Sequence, residues 1–452
     1  MTHRYCARIL VEAATPLKIG TGEQGLNIDE RVATDANGLP LIPGTALAGV
    51  LRHAFRDQDK VRDIFGFQER KKGAGSRLSV SSAHFVGREG EVIDGPTVID
   101  FKNDTFYSMF RKMAVRDHVR IDHRGVAGDT GKFDSQLVYK GCRFVFDLEL
   151  KGAEDDGVVW SRLLKLLHSP LFRLGGGTRK GFGELSVKAI DEEVYNLRED
   201  SARYMARSAR LTVPVGTRSK DKADADEGLI VYNISLRPDD FFIFSAGYGD
   251  NDVDSVSKKE PVITWENGRP SFSAEKLLIP ASSVKGAIAH RVAFHFNRLS
   301  ECYADKLAED ERLSNHTGEN NKAVVALFGA AKNSDMGEDH GQRGRVIFSD
   351  LFRTEAREKI FNHVSIDRFT GGATDGALYN ERVIHMEHPL NLKIVVEAEA
   401  FKGQPHVEEA FECALKDLTS GMLPLGGHTM RGHGCFNGGI VKEMKGVTSE
   451  LV

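Results

Sequence analysis

The chain has 452 residues, 40% of them hydrophobic and 28% charged, with a formal net charge of −4. That length exceeds what one compact core organises and predicts two domains or more, and the balance of apolar and charged residues excludes a chain disordered throughout. The slight negative charge excludes bulk attraction to phosphate, so any nucleic-acid site must be a local stripe of Lys and Arg.

The five cysteines, Cys6, Cys142, Cys302, Cys413 and Cys435, are odd in number and form no CxxC pair. Neither a disulfide framework nor a zinc ribbon is expected, and a reducing cytoplasm is the default compartment. The opening stretch MTHRYCARILVEAATPLKIGTG lacks the continuous apolar run of a signal peptide, and no later run reaches membrane-spanning length. The expectation is a soluble intracellular protein.

In chain order, ARILVEA alternates as a half-buried strand does. The polar, Gly-flanked loop IGTGEQGLNIDERVATDANGLPLIPG follows, and its Asp29 is free to orient a 2′-hydroxyl or hold a divalent cation, although a lone loop carboxylate is usually just solvated. LIPGTALAGVLRHAF, from Leu41, sets Leu47, Val50, Leu51, Ala54 and Phe55 at the three-and-four spacing of a helix with one buried face. Thr45 is its expected cap. The amides after it lack partners within the helix and attract anions, and Gly49 removes a side chain that would block a phosphate. Gly44, Thr45, Gly49 and Arg52 are therefore candidate phosphate contacts; the alternative is that the glycines only let helix and sheet pack closely.

Next come IFG at Ile64, the strand-like GSRLSVSSA and RFVFDLEL, HVRIDHR from His118, and a second helix in WSRLLKLLHSPLF. In LGGGTRKGFG, Gly175, Gly176 and Gly177 can turn several amides toward one point while Thr178, Arg179 and Lys180 add donors and charge, which suits a phosphate backbone. The loop runs into the strand GELSVKAI, so it is not the nucleotide-triphosphate loop; a glycine-rich hairpin turn is the plain alternative. Composition then shifts to GTRSKDKADADEG, and the linker is expected over 209–226, between domains spanning 1–208 and 227–452.

The second domain repeats the series in order. IVYNISL is followed by a longer loop holding Asp250, Asp252 and Asp254, and then by LIPASSVKGAIAHRV, whose Val284, Ala287, Ile288 and Val292 repeat the helical face. Ser282 is the expected cap, with Ser283, Lys285 and Gly286 beside it. LFG, RGRVIFSDL, HVSIDRF, LKIVVEAEA and the helix VEEAFECALKDL come next, and LGGHTMRGHG supplies Gly426, Gly427, Thr429 and Arg431. So many pairs in one order indicate a duplication. Strand, helix, strands, helix and strand in each half predict an α+β fold of two tandem ferredoxin-like (RRM-like) domains. His118 and His363 are matched, as are Asp122 and Asp367, which are expected to fix turns. His428, His433 and Cys435 invite a metal reading, but Gly177, Phe182 and Glu184 hold those places in the first copy.

The ordered series TPLKIGTG, LPLIPGTALAGVLR, HVRIDHR and GGGTRKGFG, with LIPASSVKGAIAHR, HVSIDRFTGGA and GGHTMRGHG, resembles the RAMP superfamily of CRISPR systems. It is most similar to the guide-binding backbone subunits of type III RNA-targeting complexes, here fused in tandem. The resemblance implies an RRM-like fold that cradles a CRISPR guide RNA, with a thumb-like insertion in each domain, expected within residues 123–141 and 368–386. It also implies a prokaryotic cytoplasmic setting, other type III effector subunits and target RNA as partners, and no membrane. In active members a loop Asp ahead of the IPG motif supports target cleavage with a divalent cation, Mg2+ by implication. Asp29 matches that position; in the second copy Asp254 is favoured slightly over Asp252. A non-catalytic guide-binding scaffold, and a guide-processing endoribonuclease using His118 as base, are the alternatives.

Overall fold

The computed structural model describes all residues except 23–27, 56, 71, 123, 213–216, 220–227, 308–311, 332–340, 355–356, 445–446 and 452. In chain order the first half runs β1 (His3–Ala13), α1 (Gly44–Ala54), β2 (Leu78–Val80), β3 (His84–Phe85), a hairpin of β4 (Val115–Ile121) and β5 (Ala127–Gln136), β6 (Arg143–Gly152), α2 (Gly157–Leu166), β7 (Leu185–Asn196) and β8 (Thr217–Ser219). The alternation in ARILVEA becomes β1, because every second side chain meets one face of a sheet. Ala7, Ile9, Val11 and Ala13 are wholly buried. β1 is central and antiparallel to both neighbours, β6 and β7; β2 and β3 line the far edge of β6, and β8 lies along β7. Leu47 and Leu51 of α1 and Val159, Trp160 and Leu163 of α2 join the sheet in one core.

The second half runs β9 (Leu229–Pro238), β10 (Ile263–Glu266), β11 (Arg269–Phe272), α3 (Ala281–Leu299), β12 (Val346–Phe348), a hairpin of β13 (Arg357–His363) and β14 (Tyr379–His385), β15 (Leu390–Glu397), α4 (Val407–Thr419), β16 (Phe436–Met444) and β17 (Val447–Leu451). Its sheet order, β16-β9-β15-β12, matches β7-β1-β6-β2, again with every neighbour antiparallel. Val284, Ile288 and Val292 of α3 pack with Phe411, Leu415 and Leu418 of α4 in a second core. The mixed α+β architecture is thus written twice with the same order of strands and helices.

The hairpins β4–β5 and β13–β14 stand apart from the two large sheets. β5 and β14 fall in the spans expected for the thumbs, while β4 and β13 lie outside them. Of the expected linker, residues 213–216 and 220–226 lie outside the described residues; Leu211 is buried with Val86 and Val145, and β8 pairs with β7. Among the described residues no helix is long and apolar enough to cross a membrane.

Each half reaches into the other. The β10–β11 hairpin turns at Asn267 and Gly268, both with positive φ, the pattern that suits a tight two-residue hairpin. It carries Ile263, Trp265 and Phe272 into the core of the first half. The indole Nε1 of Trp265 donates to the Gly141 carbonyl at 2.7 Å, and the Ile263 amide donates to that of Lys140 at 2.9 Å. In the other direction go three buried arginines. Arg116 binds Glu260 and Asp350, Arg173 donates to Ser349 Oγ at 2.8 Å, and Arg179 donates to the Gly344 carbonyl and to Glu397, both at 2.9 Å.

Candidate nucleic-acid interface

The helices α1 and α3 start differently from expectation. Pro43 and Pro280 occupy the N-cap positions, no side chain there caps the helix, and Thr45 and Ser282 fall inside the first turn. Proline presets the φ that starts a helix, and the first amide finds its acceptor on a residue just past a distant strand instead. The Gly44 amide donates to Ser82 Oγ at 3.3 Å, and the Ala281 amide donates to Asp350 Oδ1 at 2.8 Å. Since Asp350 is a buried carboxylate paired with Arg116, the first donor of α3 is already taken by a negative group. Gly44 serves packing, because a Cβ there would overlap the Val80 carbonyl, whereas Gly49 and Gly286 face open space. Arg52 and Ser283 are exposed.

The glycine loops repeat bond for bond. Leu174 donates to the Gly183 carbonyl and Leu425 to that of Gly434, both at 2.9 Å; Gly176 donates to the Lys18 carbonyl at 2.7 Å and Gly427 to that of Ile243 at 2.8 Å. A Cβ on Gly175 or Gly426 would overlap those same carbonyls of Lys18 and Ile243, so each glycine is required by close approach. Gly177 and His428 then both take the left-handed conformation, with φ of 69° and 56°. Among the described hydrogen bonds, the amides of Gly177, Thr178 and Arg179, and of His428, Thr429 and Met430, are donated to no other part of the chain. Three successive free amides at the same place in each half form a concavity suited to an anion.

The charged residues around these loops divide by role. Arg179 is not an open phosphate ligand: it is buried and bonded into the second half, and burial, with Arg343 and Arg173 nearby, pushes its guanidinium down to about 10. Lys180 keeps an exposed face, but partial desolvation of its ammonium, then Lys18 and Arg120, lower its basicity. Lys285 reaches the same region from α3, where Gly181 packs against Ala281 one helical turn earlier. Burial, then Lys180 and Arg179, bring its ammonium down to about 8. Crowded cations of this kind are relieved by an anion. In the second loop Arg431 is exposed and bonded to the hydroxyl of Tyr379, over whose ring it lies at 4.9 Å.

The loop carboxylates are fastened to the hairpins. The Asp29 amide donates to Asp134 Oδ1 at 2.8 Å while the Asp134 amide donates to Asp29 Oδ2 at 3.0 Å. In the second half, the Asp254 amide donates to Asn380 Oδ1 at 2.8 Å and the Asn380 amide donates to Asp254 Oδ2 at 2.9 Å. Asp254 thus occupies the place of Asp29. Asp250 shapes the turn, accepting from the amides of Asp252 and Val253 and from Arg382, and Asp252 is an exposed side chain 3.3 Å from Arg382. Asp122 and Asp367 also accept from amides of their own turns.

One group escaped the sequence reading. Glu381, wholly buried on β14, accepts from His363 Nε2 at 2.8 Å, His433 Nε2 at 3.1 Å and His428 Nδ1. Burial acts to raise its carboxyl, and the three imidazoles outweigh that and hold it below the usual range. The imidazoles were visible as motif residues, but their common partner lies in a strand of ordinary composition. His118, by contrast, stacks on Phe133, and burial with Arg116, Lys18 and Lys180 pushes it down to about 4. It is a neutral, weak base near pH 7, which weighs against the processing role considered for it. Among the described residues no group of three His, Cys, Asp or Glu side chains is set to hold a metal ion.

Comparison with curated proteins gave no match. A family model described as the RAMP superfamily matches residues 10–186 and 272–437, one region in each half and together well over half of the chain. With the duplicated sheets and repeated glycine loops, the two matches mean that this chain belongs to the RAMP superfamily and carries its module in tandem.

Proposed function

We propose that the chain is a guide-RNA-binding backbone subunit of a type III CRISPR effector, built from two ferredoxin-like modules over 1–208 and 227–452. In this reading it cuts target RNA paired to the guide. The strand order, with the first strand between the third and the last, supports the ferredoxin-like assignment. RAMP membership supports a CRISPR-associated RNA-binding role. The observation that carries the cleavage reading is the joint repeated in both halves: a free-amide loop, a hairpin, and a loop aspartate tied to that hairpin.

Guide phosphates rest on the free amides of the glycine loops, with Lys180 and Lys285 at the first and Arg431 at the second. Contacts of this type position a strand without reading bases, so pairing supplies specificity. The hairpins act as thumbs. They expose Val119 and Ile121 in the first half and Phe369 and Leu378 in the second, apolar side chains suited to wedging between base steps. Asp29 and Asp254 each lend one carboxylate oxygen, Oδ2, to the hairpin; among the described residues Oδ1 takes no hydrogen bond and is free to orient the 2′-hydroxyl of a target nucleotide. That donor set fits a Mg2+ ion shared with RNA phosphates rather than a cage made by the chain alone. When bound, the ion supplies charge neutralisation at the phosphate under attack.

The test is cleavage of complementary RNA by the assembled ribonucleoprotein. Asp29→Ala is expected to remove one cut and Asp254→Ala another, with guide retention unchanged. Persistence of every cut in the double variant would leave the chain a guide-binding scaffold only.

A further inference from the structure

We propose that Asp134 and Asn380 are positioning residues that set the reach of the loop carboxylates Asp29 and Asp254. The inference rests on the cleavage reading above. It starts from a geometric fact: the loop and the hairpin strand exchange two hydrogen bonds, each side chain accepting from the other's backbone amide. The partners lie 105 and 126 residues apart in sequence, so the bonds are tertiary ties and not turn closures. Their lengths agree between halves within 0.1 Å.

The backbone beside each aspartate is already paired to its hairpin, Glu30 with Ser135 and Ser255–Val256 with Glu381 and Arg382, so what the exchanged bonds add is the aim of the exposed carboxylate itself. Asp29 follows residues outside the described chain and is exposed, and Asp254 follows a turn held by Asp250. The exchange consumes Oδ2 and aims Oδ1, so the strand that contacts the paired RNA also fixes the oxygen that meets the scissile link. Small misplacements of a reacting group lower rates steeply, on the order of 100-fold for ~1 Å. The two halves also show which feature matters. Position 134 is Asp and position 380 is Asn, yet both offer a carbonyl-type Oδ1 to the loop amide. An acceptor is what the place requires, and charge is not.

The experiment uses the assembled ribonucleoprotein with its own guide, scoring each cut separately under single-turnover conditions and normalising to guide retained. Asp134→Ala should slow the Asp29-dependent cut about 10-fold or more while target binding and the other cut hold. Asp134→Asn should restore the rate to within about threefold, because it keeps the acceptor. Asn380→Ala and Asn380→Asp should behave likewise at the other cut. If Asp29→Ala abolishes its cut but Asp134→Ala leaves the rate within twofold, the positioning role is overturned while the cleavage reading stands. Asp134→Asn as slow as Asp134→Ala would overturn it equally, since charge would then be the need. If Asp29→Ala changes nothing, the cleavage reading itself fails. Should Asp134→Ala lose guide, Asn380→Ala and its Asp rescue decide the matter alone.

Discussion

His118 and Glu381 show how the two copies differ at one joint. In the first half His118 stacks on Phe133, its Nε2 buried and without a hydrogen-bond partner among the described residues, and burial with the neighbouring cations keeps it neutral. Its folded value, about 4, lies below the ordinary imidazole value of ~6.5. The unfolded chain therefore takes up the proton first as pH falls, and the stability tied to neutral His118 is present near pH 7 and lost between about 6.5 and 4. His118→Phe, which keeps a ring on Phe133, should lose less stability than the parent chain between pH 7 and pH 5, read as urea midpoints. An unchanged difference would mean that the imidazole is already charged in the fold. In the second half the stacked pair is His363 on Tyr379, and Glu381 holds His363. Glu381 is depressed, so its contribution stands above the ordinary carboxyl range and fades on acidification. His428 holds a left-handed conformation that costs a non-glycine residue on the order of 1 kcal/mol, and its bond to Glu381 offsets that cost.

At the scale of elements, most of each half could be read from periodicity. The helical spacing of Leu47, Leu51, Val284 and Ile288 became buried faces of α1 and α3, and the alternation in ARILVEA and IVYNISL became the two central strands. Caps were misread for a physical reason. Thr45 and Ser282 are good cap residues in isolation, but the acceptors for the first amides are Ser82 and Asp350, brought in by the sheets. The loop aspartate Asp29 was legible from its setting, while its partner Asp134 depends on where a hairpin folds back. The β10–β11 hairpin carried its own signal in Asn267-Gly268, passed over among the acidic residues of a long loop. Because Trp265 and Phe272 pack into the other half, Trp265→Ala and Phe272→Ala should each cost about 2–3 kcal/mol in denaturant unfolding. They should loosen the first half as seen by hydrogen exchange around Tyr139 and Phe110, which contact Phe272. Protection there equal to that of the parent chain would contradict the clasp.

For the whole molecule, the two halves are joined by the clasp and by Arg116, Arg173 and Arg179. The first glycine loop meets the start of α3, which brings Lys285 of the second half beside Lys180 of the first. This junction could not be read from sequence, because the matched position in α1 is Ala48 and the cation comes from the other copy. The central claim is that both cradles hold one guide strand. Purifying the full chain from its host and sequencing the RNA that travels with it tests that claim most directly. The account predicts a defined population of short guide RNAs, reduced when Lys180, Lys285 and Arg431 are replaced by Ala together. Recovery of no RNA, or of fragments in proportion to their cellular abundance and indifferent to those three substitutions, would contradict it.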